Sequence, residues 1–342
     1  MASRRASGAE VMRREAPFGM VDQLCRGTGA GYCQAIEKLR ALVARVQQLP
    51  GADLTGCDST IRSMTNVQGL APGTLHPMLA VAVTAAQAAA TLIRAAAADL
   101  ASLQIREKNP KDFVTQVDLA SEQAIVGILL GAFPDHAVRG EESQQAHGNP
   151  DADQVWIVDP LDGTSNFIHG YPVYSVSIAL SVRGRIEHGV VLDVNAGDVF
   201  HASLGGGAYC NTRRLRMATR TRLQDALVAT SCPYRPGPAF ARAMQMLGDV
   251  MQACSAIRRS GSAALDLAWL AAGHSDGFFD LGLNAWDVAA GGLLVTEAGG
   301  QVGNFRGGAD FVEARECIAG NAAIFAALAV LLRPYAPDPA GS

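Results

Sequence analysis

The stretch Trp156–Phe167 (WIVDPLDGTSNF) joins an apolar run to two aspartates and a group of small polar residues. The run Val155–Val158 predicts a buried strand, because short continuous apolar runs are typical of strands that are covered on both faces. Asp159 and Asp162 follow this strand, and a glycine then permits a tight turn. The next three residues, 164–166 (TSN), are types that commonly begin helices. The sequence therefore predicts a strand, an acidic turn and a helix start in this order.

This arrangement predicts adjacent places for a cation and an anion. Carboxylate oxygens such as those of Asp159 and Asp162 bind hard divalent cations. The free backbone N–H groups at a helix start bind anions such as phosphate. A plain capped loop is the alternative, but it would need neither the second aspartate nor the combination of glycine and hydroxyl residues.

A second acidic motif precedes the first in the chain. Glu141 and Glu142 follow Gly140 as a like-charged pair, 18 residues before Asp159. Adjacent carboxylates repel each other unless a cation lies beside them. A short connection to the same strand end would place this pair at the same metal site, and a solvated surface pair is the alternative.

Two other aspartates are predicted at helix starts. Asp287 lies at or near the N-cap of a predicted helix Trp286–Ala298, and Thr115 and Asp118 are the predicted cap and first-turn acid of a helix Leu119–Phe133. An aspartate at such a position stabilises its helix by about 1 kcal/mol unaided. Capping alone therefore explains both residues. Two glycines inside the first of these helices cost about 1 kcal/mol each relative to alanine, which predicts close packing there.

Composition excludes several classes of protein. Of the 342 residues 49% are hydrophobic and 18% are charged, which argues against a mostly disordered chain. The net charge of −4 provides no field for nucleic acid or an anionic membrane, so neither is expected as a partner. Seven cysteines form an odd set without C-x-x-C spacing, which predicts reduced thiols in the cytoplasm and no structural zinc site.

The chain divides into three regions. Residues 1–75 are predicted to be a flexible or partly helical extension, with one helix at Ala35–Leu49 and no motif that carries chemistry; a docking role is the alternative. Residues 76–335 are predicted to be one domain, followed by a tail at 336–342. The most apolar run, Met78–Ile93, is shorter than a membrane span and predicts a buried helix rather than a membrane segment.

The middle of the domain is rich in strands and has helices on both sides, which predicts layered sheets with helix layers. The predicted strands are Tyr174–Val182, Gly189–Val194, Val199–Ala202, Ala226–Thr230 and Asp276–Leu281. The further predicted helices are Pro77–Asp99, Phe240–Cys254, Ser262–Ala272 and Ala322–Leu332.

The opening His76–Leu79 (HPML) is similar to the start of bacterial inositol-1-monophosphatases. Four further stretches together resemble the inositol monophosphatase family. They are Lys108–Asp118 (KNPKDFVTQVD), Gly140–Ser143 (GEES), Trp156–Phe167 and Trp286–Gly300 (WDVAAGGLLVTEAGG). The resemblance implies an α/β (α+β) fold with a layered α-β-α-β-α sandwich of the inositol monophosphatase and fructose-1,6-bisphosphatase type. It also implies a homodimer, sensitivity to lithium and a dependence on two or three Mg²⁺ ions.

The resemblance assigns the metal ligands. Glu141, Asp159 and the backbone carbonyl of Leu161 are implied to bind the first Mg²⁺. Asp159, Asp162 and Asp287 are implied to bind the second, and Glu141 is implied to hold a third, weaker ion.

The resemblance also assigns the catalytic groups. Thr164, hydrogen-bonded towards Asp118, is implied to position and activate the attacking water, with Glu141 as a further catalytic residue and Glu142 nearby. The backbone N–H groups of Gly163 and Thr164 are implied to hold the phosphate.

The substrate side is implied to comprise Gly261, Ser262, Ala263, Asp280 and Asp287. The family usually has glutamate at the position of Asp280, where the carboxylate contacts the hydroxyls of the sugar alcohol. Aspartate is shorter by one carbon–carbon bond, about 1.5 Å, so the fit to inositol is open at this position.

The function implied is Mg²⁺-dependent hydrolysis of a small phosphate monoester, namely myo-inositol 1-phosphate and related polyol or sugar phosphates. Histidinol phosphate, 3′-phosphoadenosine 5′-phosphate and fructose 1,6-bisphosphate are alternative substrates within the same family. An alternative of another class is a phosphatase-like scaffold that binds protein or RNA partners.

Overall fold

Residues 75–103, 105–109, 112–143, 146–231 and 238–336 are described by the structure, a computed structural model. The extension before residue 75, with the helix predicted at Ala35–Leu49, lies outside this part of the chain, and so does the tail after residue 336.

The described helices are α1 (Pro77–Ala97), α2 (Gln116–Ala132), α3 (Thr164–Ile168), α4 (Pro238–Ala253), α5 (Ala263–Ala271), α6 (Ala285–Glu297), α7 (Phe311–Ala314) and α8 (Ala322–Leu332). Single 3₁₀ turns occur at Leu100–Ser102, Leu223–Asp225 and Arg333–Tyr335.

The described strands are β1 (Ile105–Asn109), β2 (Asp112–Thr115), β3 (Ala137–Gly140), β4 (His147–Gly148), β5 (Gln154–Asp162), β6 (Ser175–Val182), β7 (Arg185–Asp193), β8 (Val199–Ser203), β9 (Gly207–Cys210), β10 (Arg213–Arg214), β11 (Leu227–Ala229), β12 (Ala256–Arg258), β13 (Gly277–Leu281), β14 (Gln301–Gly303) and β15 (Glu316–Gly320).

These strands form a hairpin and two larger sheets. The eight-stranded sheet has the order β10-β9-β8-β7-β6-β5-β3-β4, and the five-stranded sheet has the order β12-β11-β13-β15-β14. In the larger sheet β3 runs parallel to β5, whereas β5 to β10 are successive antiparallel neighbours. The carboxyl ends of β3 and β5 therefore lie side by side at one end of the sheet, and both acidic motifs lie there.

Three apolar cores separate the layers. The first lies between α1, α2 and one face of the large sheet and includes Ile125. The second surrounds α5 and α6 between the two sheets and includes Leu267 and Leu294. The third lies between the small sheet and α4 with α8 and includes Met246 and Leu328. This order of layers confirms the predicted α-β-α-β-α arrangement.

Individual strands supply two cores at once, because successive side chains of a strand point to opposite faces. Trp156 and Val158 of β5 lie in the first core, and Ile157 between them lies in the second. Phe278 of β13 lies in the second core and Phe279 in the third. The continuous apolar runs in these strands thus reflect sheets covered on both faces.

Helix α1 confirms the prediction of a buried alanine-rich helix, although it ends at Ala97 rather than Asp99. It is the one helix among the described residues that is long and apolar enough to cross a membrane, and 72% of its apolar window is buried inside the protein. Burial at this level is typical of a core helix.

Two predicted boundaries near the acidic motifs were wrong, those of α2 and β5. The helix predicted from Leu119 begins three residues earlier, at Gln116, because the Thr115 hydroxyl accepts a hydrogen bond from the Val117 amide at 3.1 Å. Asn284 is the N-cap of α6 and Asp287 is the third residue of that helix, which agrees with the prediction of Asp287 at or near an N-cap. The strand predicted to end at Val158 continues to residue 162 through an irregularity, so both aspartates of the first motif lie within β5.

The two glycines inside α6 are required by close packing, as predicted. A Cβ atom at Gly291 would lie 2.6 Å from Cβ of Leu267 in α5, and one at Gly292 would lie 2.7 Å from the ring of Phe311. The absence of side chains here lets α6 lie against both neighbours.

We expect Gly291→Ala to destabilise the protein by about 1–3 kcal/mol, because the added methyl group overpacks the contact with α5. Gly248→Ala in α4 is the matched control, since a Cβ there meets nothing within 4 Å. The control should gain about 1 kcal/mol from helix propensity. Denaturant unfolding of both variants measures the difference, and equal stabilisation would contradict the packing argument.

Candidate metal centre

Three carboxylates from two distant parts of the chain come together at one end of the large sheet. Asp159 and Asp162 at the end of β5 and Asp287 near the start of α6 each place an oxygen within 4.8 Å of the others. The two strand residues are buried, and Asp287 is partly buried. The structure thus brings together three of the predicted metal ligands.

The irregularity in β5 orients its two aspartates. Asp159 pairs with Ser177 and Asp162 with Ser175 of β6, so β5 has two residues between these pairs where β6 has one. Leu161 lies in this irregular stretch, and its amide donates a hydrogen bond of 3.0 Å to Oδ1 of Asp159. A β-bulge of this kind re-aims side chains that regular alternation would send to opposite faces.

Asp287 is held by the first turn of α6. Its Oδ2 accepts a hydrogen bond of 2.6 Å from the amide of Asn284, as the third residue of a capped helix commonly does. The carbonyl of Trp286 accepts a hydrogen bond of 3.0 Å from the Ser177 hydroxyl on β6. These two contacts fix the start of α6 against the strand that borders β5.

The acidic loop, defined as Gly140–Ser143, reaches the same edge through β3. The Glu141 amide donates a hydrogen bond of 3.1 Å to the carbonyl of Val158 on the parallel strand β5. Negative charge on Glu141 raises the pKa of both Asp159 and Asp287. Glu141 therefore lies within electrostatic reach of the three aspartates.

The pKa values of these aspartates show that placing the carboxylates close together disfavours their charged forms. Burial raises the pKa of Asp159 well above its ordinary value, and the charges of Glu141, Asp162 and Asp287 raise it further. Burial, followed by the charges of Asp162 and Glu141, does the same to the pKa of Asp287. Buried carboxylates that repel one another fit a hard divalent cation such as Mg²⁺, which prefers oxygen ligands.

Asp162 is oriented by the start of α5. Its Oδ2 accepts hydrogen bonds from the hydroxyl of Ser262 at 2.5 Å and from the amide of Ala264 at 2.8 Å. Ser262, the N-cap of α5, was predicted on the substrate side together with Gly261 and Ala263. In the structure its hydroxyl contacts a metal-ligand candidate, and its predicted place on the substrate side stays a prediction.

Thr164 and Asp118 are joined as the resemblance implied. The Thr164 hydroxyl lies 2.9 Å from Oδ1 of Asp118 and 3.1 Å from the carbonyl of Leu161. Oδ2 of Asp118 accepts from both the amide and the hydroxyl of Thr115, at 2.8 and 2.6 Å. Burial raises the pKa of Asp118. The hydrogen bond is thus present, and the catalytic role of the pair stays a prediction.

Gly163 turns the chain from β5 into α3. It has a φ of 97°, and a Cβ there would also lie 2.9 Å from the carbonyl of Val173, so both backbone and space require glycine. The N–H groups at the start of α3 have no partner within the helix. They are therefore placed to meet an anion beside the carboxylates.

Asp280 lies buried on β13, close enough that its charge raises the pKa of Asp287. Its carboxylate accepts hydrogen bonds from the amides of Ser231 at 2.6 Å and Leu281 at 2.7 Å. Burial raises its pKa to about 7. Its predicted contact with substrate hydroxyls stays a prediction.

The family model of the inositol monophosphatase family matches residues 74–335. The chain belongs to the inositol monophosphatase family. Nus factor SuhB of Pseudomonas aeruginosa is 45% identical over 266 residues, which cover 77% of this chain and 98% of that protein.

Two solved structures extend the comparison within the inositol monophosphatase family. The extragenic suppressor protein suhB from Bartonella henselae matches with a TM-score of 0.71 and 41% identity, covering 74% of this chain and 97% of that one. The inositol monophosphatase from Anabaena (Nostoc) sp. PCC 7120 matches with a TM-score of 0.65 and 33% identity, covering 76% and 96%.

The name Nus factor speaks against one expectation from composition, namely that nucleic acid is not a partner. Net charge averages over the whole surface and therefore reports neither a local basic patch nor contact through another protein. The weak overall charge does not exclude such partners.

We expect metal-free protein to be less stable at pH 8 than at pH 4, the two pH values to be compared. In the folded protein the raised pKa values of Asp159 and Asp287 retain protons that the unfolded chain releases near pH 3.8, so stability falls as pH rises. Saturating Mg²⁺ at pH 8 should restore about 3 kcal/mol at 100 times its Kd. Urea unfolding in EDTA and in Mg²⁺ at both pH values measures this.

The double variant Asp159→Asn/Asp287→Asn is the control for that prediction. It removes the two carboxyl groups, so its stability should vary less with pH and respond less to Mg²⁺. A wild-type protein whose unfolding at pH 8 is the same in EDTA and in Mg²⁺ would contradict the assignment.

Proposed function

We propose that residues 76–335 form a Mg²⁺-dependent phosphomonoesterase that hydrolyses myo-inositol 1-phosphate and related polyol or sugar phosphates. The observation that carries this proposal is the convergence of Asp159, Asp162 and Asp287 beside the hydrogen-bonded pair Thr164–Asp118. Membership of the inositol monophosphatase family supports a phosphatase with bound metal.

The acidic residues would hold the ions. Glu141, Asp159 and the carbonyl of Leu161 would bind one Mg²⁺, and Asp159, Asp162 and Asp287 would bind another, with Glu141 available to a third. Bound Mg²⁺ neutralises phosphate oxygens and lowers the pKa of a coordinated water.

Thr164 and Asp118 would prepare the attacking water. With its hydrogen directed to the Asp118 carboxylate, the Thr164 hydroxyl has lone pairs left to accept a hydrogen bond from water. Burial raises the pKa of Asp118, which makes this carboxylate a stronger proton acceptor. The N–H groups of Gly163 and Thr164 would hold the phosphate in line with that water.

The substrate's alcohol group would lie towards Asp280 and the Gly261–Ala263 turn. Anabaena inositol monophosphatase supports inositol phosphate as substrate through its name and similarity. The metal site would serve equally for histidinol phosphate, 3′-phosphoadenosine 5′-phosphate and fructose 1,6-bisphosphate. Substrate preference would therefore be decided by Asp280 together with the segments around 233–237 and 281–285, of which the first lies outside the described residues.

Phosphate release from these four substrates by purified protein, with and without millimolar Mg²⁺, tests the proposal. We expect the highest kcat/KM for inositol 1-phosphate, and inhibition by tens of millimolar lithium. No release from any of the four would overturn the enzymatic function, and a strong preference for another substrate would overturn the inositol assignment.

We expect Asp162→Asn to lower kcat by orders of magnitude, because the change removes the negative charge of a proposed metal ligand, while the amide oxygen can still accept the hydrogen bonds from α5. Steady-state kinetics at saturating substrate measures the loss, and circular dichroism checks that the fold is retained. Near-normal turnover would show that the metal site lies elsewhere.

We expect Thr164→Val to lower kcat by about 10²- to 10⁴-fold, as loss of a group that positions and activates water does. Thr164→Ser retains the hydroxyl and should keep most of the activity. Mn²⁺ binding, measured by electron paramagnetic resonance, should be unchanged in both variants. Equal kcat values for the valine and serine variants would exclude the hydroxyl from the reaction.

A role in transcription is a second candidate function, with RNA polymerase or nucleic acid as partner. The observation that favours it is the 45% identity to a protein named Nus factor SuhB over 98% of that protein's length. Complementation of a Pseudomonas aeruginosa strain that lacks its SuhB tests this role. Complementation by the Asp162→Asn variant would separate it from catalysis, and failure of the wild-type protein would count against it.

Assembly, location and the extension remain predictions. A homodimer is expected, and sedimentation equilibrium of the full chain measures it. Cytoplasmic location is expected from the cysteine content. A docking role for residues 1–73 would appear as partners captured by the full chain and not by a chain that lacks them.

A further inference from the structure

Helix α2 contacts two segments of the proposed metal site, namely the acidic loop and the start of α3. Its carboxylates Asp118 and Glu122 are four residues apart and therefore lie on one face of the helix. Asp118 accepts a hydrogen bond from Thr164 at the start of α3. Glu122, on the next turn, contacts the acidic loop Gly140–Ser143.

The Glu122 carboxylate is buried beneath this loop, with only 4% of the residue exposed. Oε2 accepts a hydrogen bond of 2.8 Å from the amide of Glu142, and Oε1 accepts one from the hydroxyl of Ser143. The Ser143 oxygen also lies 2.7 Å from Nε2 of His147 on β4. A buried carboxylate without such donors would be strongly unfavourable, so these contacts constrain the loop.

The Glu122 carboxylate approaches the backbone closely at Gly140. A Cβ atom at this position would overlap the carboxylate of Glu122. The φ of Gly140 lies outside the left-handed region, so the backbone conformation itself does not require glycine. Space for Glu122 is therefore the physical reason for a glycine before the two glutamates.

Glu141 lies between two fixed points. Its own amide is bonded to the Val158 carbonyl of β5, and the next amide, that of Glu142, is bonded to Glu122. The backbone of Glu141 is thus held by β5 on one side and by α2 on the other. Its side chain consequently projects from a constrained position near Asp159.

We propose that Glu122 is a positioning residue of the metal centre: it holds Glu141 in place through the backbone of Glu142 and the side chain of Ser143. Together with Asp118, it makes α2 the element that aligns the acidic loop with Thr164. This inference rests on the proposed function, because Glu141 must be a metal ligand for its position to matter.

Direct Mn²⁺ binding to the full chain, followed by electron paramagnetic resonance, tests the proposal independently of turnover. Glu122→Gln keeps the size of the side chain but removes the charge and one acceptor. We expect its Kd for Mn²⁺ to rise about 10- to 100-fold, the usual effect of changing a group that orients a metal ligand. The Mg²⁺ concentration for half-maximal activity should rise in parallel, with a smaller change in KM for substrate.

Glu297→Gln is the matched control. Glu297 likewise uses both oxygens to hold a loop, accepting from the amides of Gly205 at 2.8 Å and Gly207 at 2.7 Å. It lies ten residues along α6 from Asp287, or about 15 Å. The control should lose stability as Glu122→Gln does and bind Mn²⁺ with unchanged Kd. A folded Glu122→Gln protein with a Kd within twofold of wild type would overturn the proposal.

A second measurement uses Gly140. Gly140→Ala should weaken Mn²⁺ binding in the wild-type background, because its methyl group displaces the Glu122 carboxylate. In a Glu122→Ala background, Gly140→Ala should change the Kd for Mn²⁺ by at most about one fifth of its effect in wild type. The carboxylate that the new methyl group would overlap is absent there. Equal effects in the two backgrounds would overturn the contact.

The outcomes separate this inference from the proposed function. If the wild-type protein binds Mn²⁺ but hydrolyses no phosphate ester, the proposed function is overturned. The Mn²⁺ affinities of the variants then still decide whether Glu122 positions the metal centre. Wild-type protein that binds no Mn²⁺ would overturn both.

Discussion

Repulsion between buried carboxylates is the constraint on which the site depends. Asp159, Asp162 and Asp287 hold oxygens within 4.8 Å of one another, and Glu141 adds a fourth charge within reach. Carboxylates at such distances would separate unless their backbones were fixed, and carboxylates held this close retain protons to a higher pH. The sheet, two helix starts and one loop supply that fixation, and a divalent cation would turn the repulsion into attraction.

Helix starts provide much of the fixation. Asp118 and Asp287 are each the third residue of a helix and bond back to the N-cap amide, while Ser262 caps α5 and donates to Asp162. The positive ends of three helix dipoles, those of α2, α5 and α6, are thereby directed at the carboxylates. The residues that carry the proposed chemistry also begin the helices that position them. Fold stability and site geometry are consequently coupled at these positions.

Relatives on the same fold carry two different names, Nus factor SuhB and inositol monophosphatase. A fold by itself does not specify function, so the two roles must be argued from different parts of the molecule. The carboxylates, with Thr164, form a compact group at one sheet edge, and their chemistry argues for phosphate hydrolysis. Contacts with other macromolecules would use the remaining surface, which the carboxylate group does not constrain.

The sequence by itself determined the elements in which local pattern dominates. Helix α8 has the predicted bounds, Ala322–Leu332, and the apolar runs predicted most central strands and the layered order. Short strands such as β3 and β15 were not predicted, because their few residues carry no distinctive period. Residue chemistry alone singled out Asp159 and Asp162, and Glu141 followed from them. The roles of Asp287 and of the Thr164–Asp118 pair followed only from the family resemblance.

Only the tertiary structure decided how the site is supported. The extension of β5 through its two aspartates depends on pairing with β6, which outweighs the low strand propensity of aspartate and proline. Ser262 donates a hydrogen bond to Asp162, which is 100 residues away in the sequence. Glu122 on α2 accepts a hydrogen bond from the acidic loop. Contacts between segments so far apart leave no local pattern in the sequence. Residue type therefore determined which chemistry is available, and packing decided which side chains hold it in place.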